Sequence, residues 1–356
     1  MTKGTLITGL DMGSSKIAAV ACEITKENTF KILAQEFAPS KGISRGTFID
    51  LGEAVDAVSK VLEKLRNRIS KRPENIYVNI TGETIKGERS KGMIPISLRG
   101  REVTTADINR CINVASTIQL PFDRDIIHRI VQNFSIDDES LISSPLGLYA
   151  SRLGCEVYII TASVNHIQNI YKCVNDAGYD AQEVVFTGMA DSESLIDEKV
   201  KEEGAVLLDI GDSLTELSIF FGGGLRDIEI ISIGAQDFRG GFKDNPAFKN
   251  ILSRTGSTIE AFLKKRGKIG SVILTGGLVF ADEIVEVMET HLPYRIRIGT
   301  VKDLKGVSSG LDSMRGVTAI GLARYAYKKH MKKTLEEKNI ISRISTKVVD
   351  IFNNYF

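Results

Sequence analysis

The chain has 356 residues, of which 46 are Lys or Arg and 45 are Asp or Glu, so its formal net charge is +1. This balance excludes a global electrostatic attraction to nucleic acid, and the length predicts two domains, because single cores stop growing near roughly 250–300 residues. The four cysteines are widely spaced without a CxxC pair, which argues against a zinc site or a disulfide framework. No stretch reaches the roughly 18 apolar residues that cross a bilayer, so we expect a cytosolic chain.

The N-terminal part predicts three antiparallel strands and a helix. Apolar and β-branched residues alternate through 5–39, with turn residues at 12–16 and 26–29. From Asp50 to about Ser70, apolar residues recur at helical spacing while Lys and Glu fill the other face. The strand NIYVNITG follows, and together these elements begin an α/β lobe.

The residue pattern changes from about Ile85 to Gly154, and this change predicts an inserted small α+β subdomain. It contains a basic stretch IKGERSKG, expected to form a hairpin, a helix that begins in TTADINRC, and an acidic loop DDESLISSPLG. The strand EVYIITAS, the helix VNHIQNIYKCVNDAG and the strand AQEVVF then resume an α/β alternation.

The pattern of the first three strands returns at 204–233: strand, Asp-x-Gly, tight turn, strand, Gly-rich turn, strand. This internal repeat predicts a second lobe that faces the first across a cleft. A polar stretch at 239–257, a helix at 259–266, the strand and turn SVILTGG, a helix near 282–290 and the strand RIRIGT follow. The last compact helix is GVTAIGLARYAYKK.

The two Asp-x-Gly hairpins suit a phosphate ligand. A turn rich in glycine and serine presents backbone N–H groups, hydroxyls and one ammonium to an anion, and an aspartate at the strand end can hold a metal through water. A plain glycine-serine turn is the alternative for either hairpin alone, but the turn LTGG adds a third element that would converge on the same cleft. The residues expected to contact a nucleotide are Asp11, Gly13, Ser14, Ser15, Lys16, Asp209, Gly211, Thr215, Gly276 and Gly277.

These motifs resemble the actin-like ATPase superfamily and, within it, the FtsA family of bacterial cell-division proteins. DMGSSKI and LLDIG resemble the two phosphate loops, VILTGG resembles the adenosine turn, and REVTTADINRC with RDIIHRIVQNFSIDD resembles the inserted subdomain. The resemblance covers most of the chain and implies a ribonuclease-H-like, two-lobed ATPase fold that binds ATP, with magnesium held through water by Asp11 and Asp209. The implied division is 1–84 and 155–203 for the first lobe, 85–154 for the insert, 204–315 for the second lobe, 316–330 for a helix returning to the first lobe, 331–338 for a charged linker and 339–356 for a membrane-targeting helix.

The second phosphate loop departs from the family pattern, which has a glycine triplet followed by two threonines. Here Asp212, Ser213 and Leu214 replace two glycines and the first threonine, and only Thr215 fits. Glycine allows positive φ and close approach, Leu214 has no hydroxyl, and a like-charge pair at ~4 Å costs about 4 kcal/mol at an effective dielectric near 20. We therefore expect lost or weakened triphosphate binding, unless magnesium held by Asp209 and Asp212 offsets the repulsion.

The second lobe is also shortened, between ISIGAQDF and VILTGG around residues 236–258. In the family this region holds a subdomain that walls one side of the nucleotide and docks the tail of the tubulin-like protein FtsZ. Truncation puts both roles in doubt here; a trimmed but functional lobe is the alternative.

The C-terminal stretch NIISRISTKVVDIFNNYF predicts an amphipathic helix after a basic linker. It resembles the membrane-targeting helix of the FtsA family, and anionic headgroups would gain about 1 kcal/mol per nearby cation. A helix packed on the same chain or on a partner is the alternative. The apolar residues expected in the membrane are Ile341, Ile344, Val348, Ile351, Phe352, Tyr355 and Phe356.

Together these inferences predict a scaffold of the division machinery on the inner face of the cell membrane, with FtsZ, further copies of itself and anionic lipid as partners and no nucleic acid. Catalysis is not required, and no pattern resembles a nucleophile with an oriented base. An active actin-fold ATPase or small-molecule kinase is one alternative, and a pilus or secretion-platform scaffold is another.

Overall fold

The computed structural model describes residues 4–137, 139–238, 240–301 and 314–334. In these ranges the chain forms two α/β lobes, each on a five-stranded sheet, and a four-stranded sheet inserted into the first lobe. The predicted two-lobed α/β architecture with an inserted subdomain is therefore confirmed.

The chain begins with three antiparallel strands and a long helix, as predicted. The helix starts where the Asp50 side chain accepts a hydrogen bond from the backbone N–H of Glu53, which satisfies one of the free donors of the first turn. Its Ala, Val and Leu side chains pack into the core of the lobe. The elements are β1 (Thr5–Met12), β2 (Lys16–Ile24), β3 (Phe30–Pro39), β4 (Ile43–Ser44), β5 (Thr47–Phe48), α1 (Leu51–Ile69) and β6 (Ile76–Ile80).

The inserted subdomain is an antiparallel sheet of order β10-β9-β12-β7, against which one helix packs. A capping box between Thr104 and Asp107 fixes the start of that helix. The elements are β7 (Lys86–Pro95), β8 (Arg101–Glu102), α2 (Thr105–Ser116), β9 (Arg124–Ile136), β10 (Glu139–Ile142), β11 (Tyr149–Ala150) and β12 (Arg152–Ser163).

Two details of the insert differ from the sequence-based expectations. The basic stretch IKGERSKG is not a hairpin: β7 is one strand that pairs with β12 from Lys86 opposite Thr161 to Pro95 opposite Arg152. β12 also pairs with β9 and ends at Ser163, so the inserted sheet continues past the boundary expected at 154. Almost all of β12 is buried, and a buried strand must hydrogen-bond its backbone along both edges.

The first lobe then resumes with α3 (Val164–Asp176), β13 (Ala181–Phe186), α4 (Thr187–Leu195) and α5 (Glu198–Glu203). β13 pairs in parallel with β6, which completes a sheet of order β13-β6-β1-β2-β3. The sequence analysis did not predict α4, because most of its residues are small or polar and yet buried, so its hydrophobic pattern is weak.

The second lobe repeats this plan with the sheet order β16-β15-β14-β17-β18. β14, β15 and β16 are antiparallel like β1, β2 and β3, and β17 pairs in parallel with β14 as β6 pairs with β1. The elements are β14 (Ala205–Ile210), β15 (Thr215–Phe221), β16 (Gly224–Ile231), a 3-10 turn (Ala235–Phe238), α6 (Pro246–Arg266), β17 (Ser271–Gly276), a 3-10 turn (Gly277–Phe280), α7 (Ile284–Glu289) and β18 (Ile296–Ile298).

The shortened region of the second lobe is mostly one helix, α6. The polar stretch expected at 239–257 is helical from Pro246 onward, because Asn245 caps the first turn and proline suits the first helical position. Between β16 and β17, the described residues thus form one 3-10 turn and this single long helix.

The last described helix, α8 (317–334), packs on the first lobe. A Cβ atom on Gly9 would lie 1.9 Å from the carbonyl oxygen of Ala319, so only glycine lets α8 lie this close to β1. α8 continues to 334, so the first part of the linker expected at 331–338 is helical. The predicted membrane helix at 339–356 lies outside the described residues. Among the helices that the structure describes, none has an apolar stretch long enough to cross a membrane.

The inserted sheet contacts the second lobe as well as the first. The Arg226 guanidinium donates to the backbone carbonyl and side-chain oxygen of Gln132, at 2.9 and 3.0 Å. The Tyr158 hydroxyl donates to Asp227 at 3.1 Å. A Cβ atom on Gly87 would lie 1.9 Å from that hydroxyl, so glycine at this position leaves room for it. These partly buried polar contacts connect the insert to β16.

Candidate nucleotide-binding cleft

The two Asp-x-Gly hairpins face each other across a cavity of about 670 Å³ between the lobes. This volume lies within the roughly 300–1,000 Å³ range of small-molecule and cofactor sites. The sequence analysis predicted part of the polar lining. The predicted nucleotide contacts that line the cavity are Asp11, Gly13, Ser14, Ser15, Lys16, Asp209, Gly211, Gly276 and Gly277.

The first hairpin carries an aspartate, serine hydroxyls and an ammonium. Gly13 closes the turn, because its backbone N–H donates to the carbonyl of Lys16 at 3.1 Å. The Lys16 ammonium lies 3.4 Å from the Asp11 carboxylate. Burial raises the pKa of Asp11, and the charge of Lys16 opposes that shift.

Asn79, at the end of β6, fixes the position of Asp11. Its side-chain amide donates to Asp11 Oδ1 at 3.1 Å, and its side-chain oxygen accepts from the backbone N–H of Met12 at 2.7 Å. The sequence analysis missed this residue. An asparagine within the apolar strand IYVNI was the available signal, because a polar group in a buried strand needs a partner.

The second hairpin has the same backbone closure, with the Gly211 N–H donating to the carbonyl of Leu214 at 2.9 Å. Asp212, Ser213 and Leu214 all lie outside the positive-φ region. The expectation that glycine is needed in this turn for positive φ is therefore wrong, because the turn closes with an ordinary backbone. The negative charge of Asp212 and the absent hydroxyl of Leu214 still distinguish the turn from the family pattern, and both residues line the cavity.

Thr215 is a predicted nucleotide contact that does not face the cavity. It is fully buried, and its hydroxyl donates to the backbone carbonyl of Ile233 at 2.8 Å. Successive side chains of a strand point to opposite faces, and it is the next residue, Glu216, that lines the cleft.

Gly276 lets the end of β17 lie against the end of β14. Its φ is +92°, and a Cβ atom there would lie 2.3 Å from the Ile210 carbonyl oxygen and 2.4 Å from Asp209 Oδ1. A Cβ atom on the next residue, Gly277, would meet open space. The predicted adenosine turn therefore contains one glycine that packing requires and one that it does not.

Four carboxylates converge beneath the cavity: Asp11, Asp209, Glu216 and Asp191. Burial raises the pKa of Asp209 to about 6, with Lys16 opposing and Asp11 adding to the shift. Burial, and then the charge of Asp209, raise the pKa of both Glu216 and Asp191. The sequence analysis did not single out Glu216 or Asp191, although a glutamate within the apolar strand TELSIFF was a visible signal.

The chemistry of these donors fits a hydrated magnesium ion. Magnesium prefers carboxylate oxygen and keeps several of its waters, and a cation would relieve the repulsion that raises these pKa values. Across the described ranges, no group of three or more His, Cys, Asp or Glu side chains is arranged to hold a metal directly. Contact of a magnesium ion by Asp11 and Asp209 through water stays a prediction.

Comparison with known proteins places these features in a family. Residues 82–161 match the family model described as the SHS2 domain inserted in FtsA. The chain is 31% identical to the cell division protein FtsA of Pseudomonas aeruginosa over 230 residues, which is 65% of this chain but only 55% of that protein. It is 26% identical to FtsA of Borreliella burgdorferi, over 96% of this chain and 94% of that protein.

The alignment with FtsA of Escherichia coli K12 has 22% identity and covers 96% of this chain and 95% of that protein. It runs over 401 positions, more than the 356 residues of this chain, so the relative carries residues that this chain lacks.

Solved structures share the fold at low sequence identity. The PilM-PilN type IV pilus biogenesis complex matches with a TM-score of 0.68 and 13% identity, over 89% of this chain and 97% of that chain. The ethanolamine utilization protein EutJ from Carboxydothermus hydrogenoformans matches with a TM-score of 0.51 and 10% identity, over 91% and 90%. These likenesses establish the actin-like fold alone. Together with the inserted domain and the FtsA relatives, they show that this chain has an actin-like fold and is similar to cell division protein FtsA over most of its length.

Proposed function

We propose that this chain is a membrane-tethered scaffold of cell division that self-associates and holds FtsZ at the inner face of the cytoplasmic membrane. The observation that carries the proposal is the FtsA-type SHS2 domain inserted into the first of two actin-like lobes. The relatives named as cell division proteins support the same role. FtsZ would bind a second lobe in which α6 replaces a larger subdomain, so we expect weaker FtsZ binding than a complete lobe would give.

Exposed apolar side chains on the insert support self-association. Leu98 and Tyr149 are 104% and 71% exposed, and Leu146 and Leu148 near Tyr149 are about half exposed. They lie at the end of the inserted sheet away from its junctions with the first lobe. Large apolar side chains grouped on a surface are typical of contacts between proteins.

We infer that the cleft binds magnesium–ATP weakly. The cavity has room for a nucleotide, and Lys16 supplies one cation. The opposing turn supplies Asp212 in place of glycine, Leu214 in place of a hydroxyl, and a Thr215 hydroxyl bound elsewhere. Magnesium would supply charge neutralisation between the carboxylates and the phosphates. Binding without fast hydrolysis is sufficient for a scaffold.

Calorimetry with magnesium–ATP tests the nucleotide inference. We expect weak binding by the natural chain and at least about tenfold tighter binding by Asp212→Gly or Asp212→Asn, because either change removes a charge that repels phosphate. Asp180→Asn, an exposed site outside the cleft, is the matched control and should bind like the natural chain. Tight binding by the natural chain would contradict the inference.

Co-sedimentation with vesicles tests the tether. Deletion of 339–356 should release the chain from anionic vesicles, because it removes the predicted membrane helix from every copy. In an assembly, many such weak tails would otherwise bind one membrane surface together. Ile344→Asp, on the predicted apolar face, should weaken binding strongly, whereas Ser342→Asp, on the predicted polar face, adds the same charge and should weaken it less. Equal binding by the deletion variant and the full chain would defeat this part of the proposal.

A further inference from the structure

We infer that Ser213 bridges the two lobes and keeps the cleft closed without a nucleotide. In the family pattern a glycine, which has no side chain to cross the cleft, stands at this position of the second phosphate turn. Here a side chain of the protein itself makes the connection. The inference deepens the proposed scaffold function and rests on the weak nucleotide site proposed above.

The bridge consists of two hydrogen bonds that cross between the lobes. The Ser213 hydroxyl donates to the Ser14 hydroxyl of the first hairpin at 2.7 Å. The same oxygen accepts from the backbone N–H of Arg45 at 3.0 Å. Ser213 is 2% exposed, so water competes little for either bond.

The Arg45 contact comes from a tight turn built to reach across the cleft. Arg45 and Gly46 join β4 to β5 with φ values of +48° and +70°, which is the backbone of a type I′ turn. A Cβ atom on Gly46 would lie 2.7 Å from the Thr81 carbonyl oxygen, so the turn packs closely on the strand end next to the insert. The first lobe therefore presents a fixed donor to Ser213.

A neighbouring contact crosses between the lobes in the same place. The Thr81 hydroxyl donates to the Glu216 carboxylate of the second lobe. Farther out, the Ser232 hydroxyl of the second lobe donates to the Glu83 carboxylate. The second hairpin thus meets three segments of the first lobe: the first hairpin, the turn at 45–46 and the strand end at 81.

The bridge also engages the hydroxyl that a phosphate would use. Ser14 lines the cavity as a predicted phosphate contact and accepts from Ser213, while its own O–H remains free to donate to a phosphate. Because Ser213 fits the turn without a positive φ, the bridge needs no strained backbone. The Ser213 side chain therefore holds the two lobes closed over the cleft, as a bound nucleotide would otherwise do.

A double-mutant cycle read by hydrogen exchange, without nucleotide, tests this inference. Ser14→Ala removes one hydrogen bond and should speed amide exchange in peptides covering 11–16 and 209–215 by about fivefold. Ser213→Ala removes that bond and the one from the Arg45 N–H, so it should speed the exchange further. The double variant should exchange no faster than Ser213→Ala, because the bond that Ser14→Ala breaks is already absent there. Ser271→Ala, which removes a 3.0 Å bond to Arg297 inside the second lobe, is the matched control and should leave these peptides unchanged.

Either of two results would overturn the proposed bridge. One is a double variant whose acceleration of exchange equals the product of the two single effects. The other is a Ser213→Ala variant that exchanges at the rate of the natural chain. Circular dichroism of each variant establishes that it is folded. Because the cycle contains no nucleotide, its outcome is independent of calorimetry. Tight magnesium–ATP binding by the natural chain would refute the weak site, and a coupled cycle would still establish the bridge.

Discussion

The two hairpins that face the cleft have one backbone plan and opposite side-chain chemistry. Gly13 and Gly211 each donate to the carbonyl three residues later, at 3.1 and 2.9 Å, and each follows a strand end that carries an aspartate. The first turn then offers hydroxyls and Lys16, whereas the second offers Asp212 and the buried Leu214. The shared backbone of the two hairpins therefore indicates the duplicated fold, whereas their different side chains determine which ligand the cleft can bind.

The two aspartates are also held by different means. In the first lobe, the Asn79 side chain binds Asp11 with a hydrogen bond of 3.1 Å. In the second lobe, the backbone at Gly276 lies directly against Asp209, where no side chain would fit. The four predictions below test this contrast, from the largest expected effect to the smallest.

Gly276→Ala should destabilise the second lobe by about 2–4 kcal/mol, because alanine would occupy a glycine-only backbone region and overlap the Ile210 carbonyl. Gly277→Ala is the matched control, since its Cβ atom would meet open space. Urea unfolding of both variants measures the difference. Equal losses would show that close packing at Gly276 does not hold the second aspartate.

Asp209→Asn should stabilise the chain more at pH 7.5 than at pH 4.5, by about 1–3 kcal/mol. The pKa of Asp209 is raised to about 6, so its contribution to stability is present below its ordinary pKa near 3.8 and is lost as the pH rises through about 6. Unfolding at both pH values measures the change, with Asp180→Asn as the exposed control. A difference independent of pH would mean that burial does not set this pKa.

Lys16→Met should weaken magnesium–ATP binding about tenfold, because it removes the ammonium beside Asp11 that would meet the phosphates. The measurement is most sensitive when Asp212→Gly is also present. Lys26→Met, on an exposed turn, is the control for the loss of one positive charge. Unchanged affinity would indicate that the first hairpin does not contact phosphate.

Thr215→Val should leave magnesium–ATP affinity unchanged and cost about 1 kcal/mol of stability, since the Thr215 hydroxyl binds the Ile233 carbonyl rather than the cleft. Calorimetry and urea unfolding of one variant measure both quantities. A loss of magnesium–ATP affinity without a loss of stability would show that Thr215 contacts the nucleotide, as the sequence pattern predicted.

Much of the candidate site was predictable because it lies in local turns. Asp-x-Gly followed by Ser or Asp marks a strand end, and the repeat of that pattern places two such ends at one cleft. The misses share a different cause. Asn79, Asp191 and Glu216 acquire their roles from strands and helices far away in the chain, and nothing local to them indicates which neighbour they meet.

Errors in the elements have a related origin. β7 was expected to be a hairpin, because its turn-like residues do not reveal that β12 supplies a full-length partner. α6 starts earlier than its apolar spacing indicated, because an Asn245 cap and a proline set its first turn.

By itself, then, the sequence determined the duplicated α/β plan, the inserted domain and the two phosphate-type turns, because hydrophobic period and glycine position are local properties of the chain. Only the tertiary structure decided which of Thr215 and Glu216 faces the cleft, and that Ser213 reaches Ser14 and Arg45. A strand offers alternate side chains to both faces, and the packing of the sheet chooses between them.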